Sequence, residues 1–186
     1  QVGDMGRASG GRAELKIEDC FPAGKVYVHR GRVMRGEIRA GDKFKIEVDA
    51  ARREAIMRNH TGTHLLHAAL RKILGDHVHQ KGSLVAPDRL RFDFSHGSAL
   101  GDRAAEIEIE VNRWILRNLP VQTSEMPMAE AQKTGAMMLF DEKYGDVVRV
   151  VRVGAGESVE LCGGTHSRTT GEIGLFKLVS DSALSS

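Results

Sequence analysis

The sequence predicts an α+β fold, in which a small N-terminal β-barrel precedes an antiparallel sheet with helices on one side. Short segments before position 50 alternate apolar and polar side chains between glycine turns, a pattern typical of strands in a small barrel. The stretch 58–74 instead repeats its apolar residues at helical spacing. Two apolar segments, 147–153 and 172–179, indicate further strands. With 41% hydrophobic and 28% charged residues, the composition is that of a globular protein rather than a disordered one.

The N-terminal elements are short and closely spaced. Three predicted strands, joined by the turn-rich link 36–42, are 13–18, 25–29 and 43–48. The boundary to the next domain is expected at Asp49–Arg53. We therefore expect a glycine-rich β-barrel over 1–50 and an α+β domain over 51–186.

The second domain mixes helices and strands. The predicted helices are 58–74, 102–119 and 128–133, the last preceded by Pro127, which suits a helix start. The predicted strands are 77–85, 89–95, 121–125, 147–153 and 172–179. Such a mixture favours an antiparallel sheet with helices packed on one face.

Two short motifs place metal-binding side chains four positions apart. They are His60-Thr-Gly-Thr-His64, on the first predicted helix, and Cys162-Gly-Gly-Thr-His166, after a predicted strand end. Residues i and i+4 of a helix share a face, so both histidines can reach one ion. Three imidazoles and one thiolate match a tetrahedral zinc site. His67 is a competitor for a ligand position, and the absence of a His-Glu-x-x-His motif argues against a thermolysin-like protease.

Four motifs in order resemble a known family. They are Gln1-Val-Gly-Asp4, Arg58-Asn-His-Thr-Gly-Thr-His64 with the leucine-rich stretch that follows, Gln80-Lys-Gly-Ser-Leu-Val85 with Arg89-Leu-Arg-Phe-Asp-Phe-Ser-His96, and Cys162-Gly-Gly-Thr-His166. Over nearly the whole chain they resemble the editing domain of alanyl-tRNA synthetases, most closely the bacterial ones. Free-standing alanyl-tRNA deacylases and the editing part of threonyl-tRNA synthetases are similar.

The resemblance implies an activity: hydrolysis of the ester that joins serine or glycine to the acceptor end of tRNA(Ala). It also implies that Thr63, Gln80 and Ser83 line the substrate pocket and that Cys162 contacts substrate as well as zinc. The remainder of a parent synthetase, an ATP-dependent ligase, is the other implied partner. Asp93 is a candidate acceptor for a ligating imidazole, and Gly163 and Gly164 are candidate backbone donors to an oxyanion.

Three departures from the family keep other readings open. The chain starts inside the opening motif, Gly62 stands where alanine is usual, and 180–186 replaces a segment that normally continues. We therefore expect an excised or C-terminally altered fragment. The alternatives are a free-standing deacylase with the same chemistry and a zinc-stabilised tRNA-binding module without activity.

Charge and cysteine content limit the partners and the cellular compartment that the sequence allows. The formal net charge is +2, so nucleic acid is neither required nor excluded by charge, and arginine clusters such as 30–39 suit either phosphate contacts or a solvated surface. No apolar run has the length of a membrane span. With two cysteines and no disulfide framework, Cys20 is expected to be a free thiol. We expect a cytoplasmic protein without membrane contact.

Overall fold

The computed structural model describes residues 3–24, 26–138 and 144–183. The chain forms two compact units, Gln1–Ala55 and Ile56–Ser186. Helix α1, Ala50–Leu74, begins in the first unit and continues into the second. In the described part of the chain, no helix has both the length and the apolar character needed to cross a membrane.

The first unit is built on one antiparallel sheet of four strands in the order β3-β2-β1-β4. The strands are β1 Gly6–Gly10, β2 Ala13–Ala23, β3 Val26–Arg35 and β4 Lys45–Val48. Its buried apolar side chains are small or medium in size: Ala8, Ala13, Ile17 and Cys20. Gly11, at φ +55°, supplies the left-handed backbone that the tight β1–β2 turn requires.

The predicted barrel is wrong, because the sheet is open. Within the described residues of the first unit, the edge strands β3 and β4 each pair with one neighbour, β2 and β1 respectively, and not with each other. Ile46 and Val48 on β4 are 51% and 42% exposed, although a closed barrel would bury such alternate side chains. Alternating sequence shows only that one face of a strand is apolar, a property shared by open sheets and barrels.

The second unit combines helices with two small antiparallel sheets. In chain order after α1, its elements are β5 Gln80–Val85, β6 Leu90–Phe94, α2 Arg103–Leu116, β7 Val121–Pro127, α3 Met128–Lys133, β8 Val147–Val153, β9 Ser158–Leu161 and a 3-10 helix Thr170–Ile173. Strands β5 and β6 form a hairpin, and β7, β8 and β9 form a three-stranded sheet in that order. The α+β class and the antiparallel sheets are therefore confirmed.

The main core of this unit lies between α1, α2 and the strands. Leu65 and Leu70 from α1 and Ile107 and Val111 from α2 are fully buried together with Val153 of β8. Each such side chain contributes about 1.5–3 kcal/mol through burial. This packing fixes α1 in position, and α1 carries half of the candidate metal ligands.

One predicted helix start and one predicted strand were wrong. Helix α1 begins at Ala50 rather than at Arg58, because the Asp49 carboxylate accepts the Arg52 N–H at 3.0 Å and so caps the helix. The strand predicted over 172–179 is absent. The Phe176 N–H instead donates to the Asn112 side chain at 3.0 Å. The Leu178 N–H donates to Glu108 at 2.8 Å. Side chains of α2 thus replace a partner strand.

Candidate metal centre

The structure brings four of the predicted side chains to one point. Helix α1 supplies His60 and His64, one turn apart, and the loop after β9 supplies Cys162 and His166. One ligand atom from each lies within 4.8 Å of every other. The imidazole centroids of His60 and His166 are 4.2 Å apart, and those of His64 and His166 are 4.6 Å apart. The two motifs therefore meet in the folded chain.

The spacing suits a tetrahedral ion. The Cys162 Sγ lies 3.3 Å from His60 Nε2 and 3.4 Å from His166 Nε2. Zinc–sulfur and zinc–nitrogen bonds of about 2.3 and about 2.0 Å at tetrahedral angles separate sulfur and nitrogen by about 3.5 Å. The donor set therefore fits a zinc ion without rearrangement of the fold.

The imidazoles are held in the neutral form that a metal requires. Burial, followed by the charge of His64, lowers the pKa of His60 to about 4. Burial is also the main cause that lowers the pKa of His64 and the pKa of His166. Neutral imidazoles offer a lone pair at neutral pH, so protons do not compete with an ion there.

Two glycines shape the ligand loop in different ways. The Gly164 N–H donates to the Cys162 Sγ at 3.4 Å, which favours the thiolate. A Cβ on Gly164 would lie 2.0 Å from Cε1 of His60, so the loop passes directly against the ligand ring. A Cβ on Gly163 would meet nothing within 4 Å. Of the two N–H groups considered as oxyanion donors, that of Gly164 is thus directed at the sulfur.

Arg149 on β8 holds the same loop from outside. Its Nη1 donates to the carbonyl oxygen of Cys162 at 2.9 Å and to that of Gly164 at 2.6 Å. Charged donors form stronger hydrogen bonds than neutral ones. The guanidinium therefore fixes the backbone on either side of Gly163, and its positive charge further disfavours protonation of the three imidazoles.

Glu160 is the carboxylate next to the histidines. Its oxygens lie 3.6 Å from His64 Nδ1 and 3.3 Å from His67 Nδ1, close approaches that lack the alignment of a hydrogen bond. Ser158 donates to it at 3.1 Å. Burial by itself raises the pKa of Glu160, but the charge of His64 and the contact with His67 outweigh burial and lower it overall. A buried carboxylate also offsets the positive charge left when one divalent ion meets one thiolate.

Thr61 supports the fourth ligand. Its Oγ1 lies 3.2 Å from Nδ1 of His166 and accepts the Ser167 N–H at 3.0 Å. The side chain is fully buried. This contact leaves Nε2 of His166 directed at the cluster, as a ligand needs.

Sequence reasoning did not find Glu160 or Thr61. Glu160 could have been predicted from the strand pattern. It lies two residues before Cys162, and side chains two positions apart on a strand share a face. Asp93, the acceptor proposed from the sequence, instead pairs with Arg91 at 3.1 Å. His67 is buried beside Glu160, outside the four-residue cluster.

The predicted pocket residues lie on β5 and α1. The Gln80 amide donates to the Ser83 hydroxyl at 3.2 Å, so these two side chains share one face of the hairpin. Thr63 is buried, and its hydroxyl donates to the Asn59 carbonyl at 2.9 Å, within the helix. These contacts leave the substrate roles of Thr63, Gln80 and Ser83 as predictions.

Comparison with known proteins gives consistent matches. Residues 148–186 match the family model described as "Threonyl and Alanyl tRNA synthetase second additional domain". The chain is 53% identical over 188 residues to the alanine–tRNA ligase of Thermotoga maritima, covering 100% of this chain and 22% of the relative. It is 52% identical to that of Halorhodospira halophila, over 99% of this chain and 21% of the relative.

A third relative extends the comparison. The alanine–tRNA ligase of Herpetosiphon aurantiacus is 49% identical over 202 residues, with 100% of this chain and 23% of the relative covered. The chain thus spans about a fifth of the length of the relatives it matches. The resemblance indicated by the motifs is confirmed: the whole chain corresponds to one region of bacterial alanine–tRNA ligases.

Proposed function

We propose that this chain is the editing part of an alanine–tRNA ligase, a deacylase that hydrolyses the ester of Ser-tRNA(Ala) and Gly-tRNA(Ala). The observation that carries the proposal is the meeting of His60, His64, Cys162 and His166 within 4.8 Å. The similarity of the whole chain to a region of alanine–tRNA ligases supplies the substrate class. The other partners would be the acceptor end of tRNA(Ala) and the rest of the synthetase, in the cytoplasm.

The cluster is proposed to hold zinc. His60, His64, Cys162 and His166 would hold it, which would tie α1 to the loop after β9. With one ligand position open, zinc would supply Lewis-acid polarisation of an ester carbonyl or a water molecule. Glu160 lies beside His64, and the Thr61 hydroxyl contacts Nδ1 of His166 and so orients that ring. Arg149 keeps the loop in place.

Selectivity for serine is proposed to come from polar groups that recognise the hydroxyl that alanine lacks. A synthetic site shaped for alanine rejects the smaller glycine poorly, and it rejects an added hydroxyl poorly as well. Gln80 and Ser83, 3.2 Å apart, offer an amide and a hydroxyl that orient the ester or the attacking water. Thr63 lies on α1 and Cys162 lies on the loop after β9, the two segments that carry the metal ligands. Donors that the serine hydroxyl satisfies would stay unpaired with alanine, which costs about 1–3 kcal/mol.

A second function is favoured by one feature of the site. Four protein ligands close a zinc tetrahedron, and closed zinc sites are usually structural. With His64 and His166 only 4% and 8% exposed, the centre also suits a zinc-stabilised tRNA-binding module without hydrolytic activity. The test below separates this module from the deacylase.

The deciding experiment measures bound zinc and serine release from Ser-tRNA(Ala) on the same purified chain. The deacylase predicts about one zinc per chain together with hydrolysis. Gln80→Ala should keep its zinc and lose about tenfold or more in hydrolysis, as expected when a group that positions the reacting atoms is removed. Gln122→Ala, an exposed glutamine on β7, is the matched control and should behave as wild type.

The outcomes are distinct. Zinc with tRNA binding but no hydrolysis would establish the binding module instead. Hydrolysis that is unchanged in Gln80→Ala would exclude the role of that amide. A chain that contains no zinc and yet hydrolyses the ester would exclude the metal assignment.

A further inference from the structure

We propose that His77 and His96 form a second metal site, at the open end of the β5–β6 hairpin. Its ligand class is a late first-row divalent ion such as Zn²⁺, Ni²⁺ or Cu²⁺. Both residues lie outside the cluster of the buried centre. The inference is independent of the proposed hydrolysis.

The two ring nitrogens already stand at the separation that two ligands of one ion adopt. The His77 Nε2 lies 3.0 Å from the His96 Nδ1. With metal–nitrogen bonds of about 2.0–2.1 Å, two neighbouring ligands lie about 2.9 Å apart at a right angle and about 3.4 Å apart at the tetrahedral angle. The observed distance falls between these values. The ring centroids are 5.3 Å apart, so the two nitrogens now face each other directly, and the exposed His77 ring must turn aside for both lone pairs to point at one ion.

The His96 ring is held by its neighbours. Its Nε2 lies 3.3 Å from the Ser98 hydroxyl. Its ring stacks on that of Phe94, with centroids 6.3 Å apart and planes at 27°. An Nε2–H that donates to Ser98 leaves the lone pair on Nδ1, the atom that faces His77. That is the tautomer of His96 that a metal requires, and the Ser98 hydroxyl can accept its Nε2–H.

The backbone at His77 is held as well. The Ser95 hydroxyl donates to the carbonyl oxygen of His77 at 2.7 Å, and the Val78 N–H donates to that of Gly75 at 3.2 Å. The Nδ1 of His77 faces Gly75, where a Cβ would lie 3.3 Å away. For an ion to bind, the proton on His77 Nε2 moves to Nδ1. The ring remains neutral, so no net charge is gained or lost at the ligand.

The donor type decides the class of ion. Two imidazole nitrogens suit zinc, nickel and copper, whereas magnesium and calcium require oxygen ligands. The nearby carboxylate of Asp76 accepts a hydrogen bond from Arg71 at 2.6 Å, so it is already paired. His77 and Ser98 are exposed, which leaves water to complete the coordination. The site should therefore exchange its ion freely, in contrast to the buried centre.

The test uses the full chain with its buried centre first saturated with zinc and the excess removed. Nickel is then titrated calorimetrically, and both metals are counted after dialysis. We expect about one nickel per chain without loss of zinc, as a second imidazole site predicts. His77→Gln and His96→Gln should each abolish that nickel uptake. His29→Gln removes an exposed histidine of the first unit and should bind nickel like wild type.

Three results would overturn the site. They are absence of nickel uptake by the wild-type chain, uptake that survives in both variants, and uptake matched by an equal loss of zinc, which would mean exchange at the buried centre. Far-ultraviolet circular dichroism confirms that each variant is folded. Because the two side chains are on the surface or partly so, their replacement should leave that spectrum unchanged.

Discussion

At the scale of single residues, two adjacent glycines offer a sharp test of the centre. Gly164→Ala would place a methyl group 2.0 Å from Cε1 of His60, so either the ring or the loop must move. We expect the variant to bind zinc at least about tenfold more weakly, the lower range for disturbing the support of a ligand. Competition with a chromogenic chelator measures this affinity.

Gly163→Ala is the matched control. A Cβ there meets no atom within 4 Å, so zinc affinity should stay at the wild-type value. Equal affinities for both alanine variants would contradict the close approach of Gly164 to His60, because the two substitutions differ only in that contact.

The same scale shows which site residues a sequence can supply. The four ligands were predictable, because spacing by four positions puts His60 and His64 on one helix face and because the residue types match zinc. Glu160 and Thr61 were not found. Their roles depend on contacts with His64 and His166, and those contacts exist only after α1 has packed against the strand and loop. Chain spacing carries no signal of such tertiary pairs.

At the scale of elements, Gly62 is a weak point of α1. It lies buried within the helix, and an added Cβ would stand 3.4 Å from Leu90 Cδ2 and 3.8 Å from Phe176 Cδ2, which are ordinary contacts. Alanine is favoured over glycine in a helix by about 1 kcal/mol. We therefore expect Gly62→Ala to raise the free energy of unfolding by about 1 kcal/mol, measured by urea denaturation.

Gly75 gives the opposite expectation next to the same helix. It follows the last residue of α1 with φ +117°, a conformation that side chains resist. Gly75→Ala should lower the free energy of unfolding by about 1 kcal/mol or more.

The Gly62 prediction has its own contradicting outcome. If Gly62→Ala lowered the free energy of unfolding, the space beside Leu90 would not be available to a methyl group.

The elements themselves were predicted unevenly. Strongly apolar segments predicted α1, α2 and β8. The apolar side chains of α1 and α2 pack in one core with Val153 of β8, and Val148 and Val150 of β8 belong to a second cluster. Strand β1, Gly6–Gly10, was missed because its two glycines and its alanine have low strand propensity, and pairing with β2 and β4 creates it. The segment 172–179 is apolar enough for a strand, yet Asn112 and Glu108 take its backbone hydrogen bonds. The partner on α2 was not visible in the local pattern.

At the scale of the whole molecule, the buried imidazoles couple stability to pH. The pKa of His60 is about 4 in the folded chain and near 6.5 in an unfolded one. Between these values the unfolded chain binds more protons, so stability is complete above about 6.5 and declines as the pH falls toward 4. The pKa values of His64 and His166 are lowered in the same direction.

We therefore expect the metal-free chain to lose stability on acidification from pH 7 to pH 5. His60 alone can account for up to about 3 kcal/mol across its full range, since one pKa unit corresponds to about 1.4 kcal/mol. Urea unfolding followed by fluorescence of Trp114, the single tryptophan, reports on the second unit. His60→Asn should flatten the pH dependence, and the exposed His29→Gln should not.

Bound zinc should steepen this response. An ion that binds only the folded chain adds to its stability, and acid removes that contribution as protons displace the ion from its ligands. Zinc release measured in parallel should follow the loss of stability on acidification. A free energy of unfolding that is constant from pH 7 to pH 5 would mean that the three imidazoles titrate normally, and it would remove the physical basis for a dry, preformed metal centre in this fold.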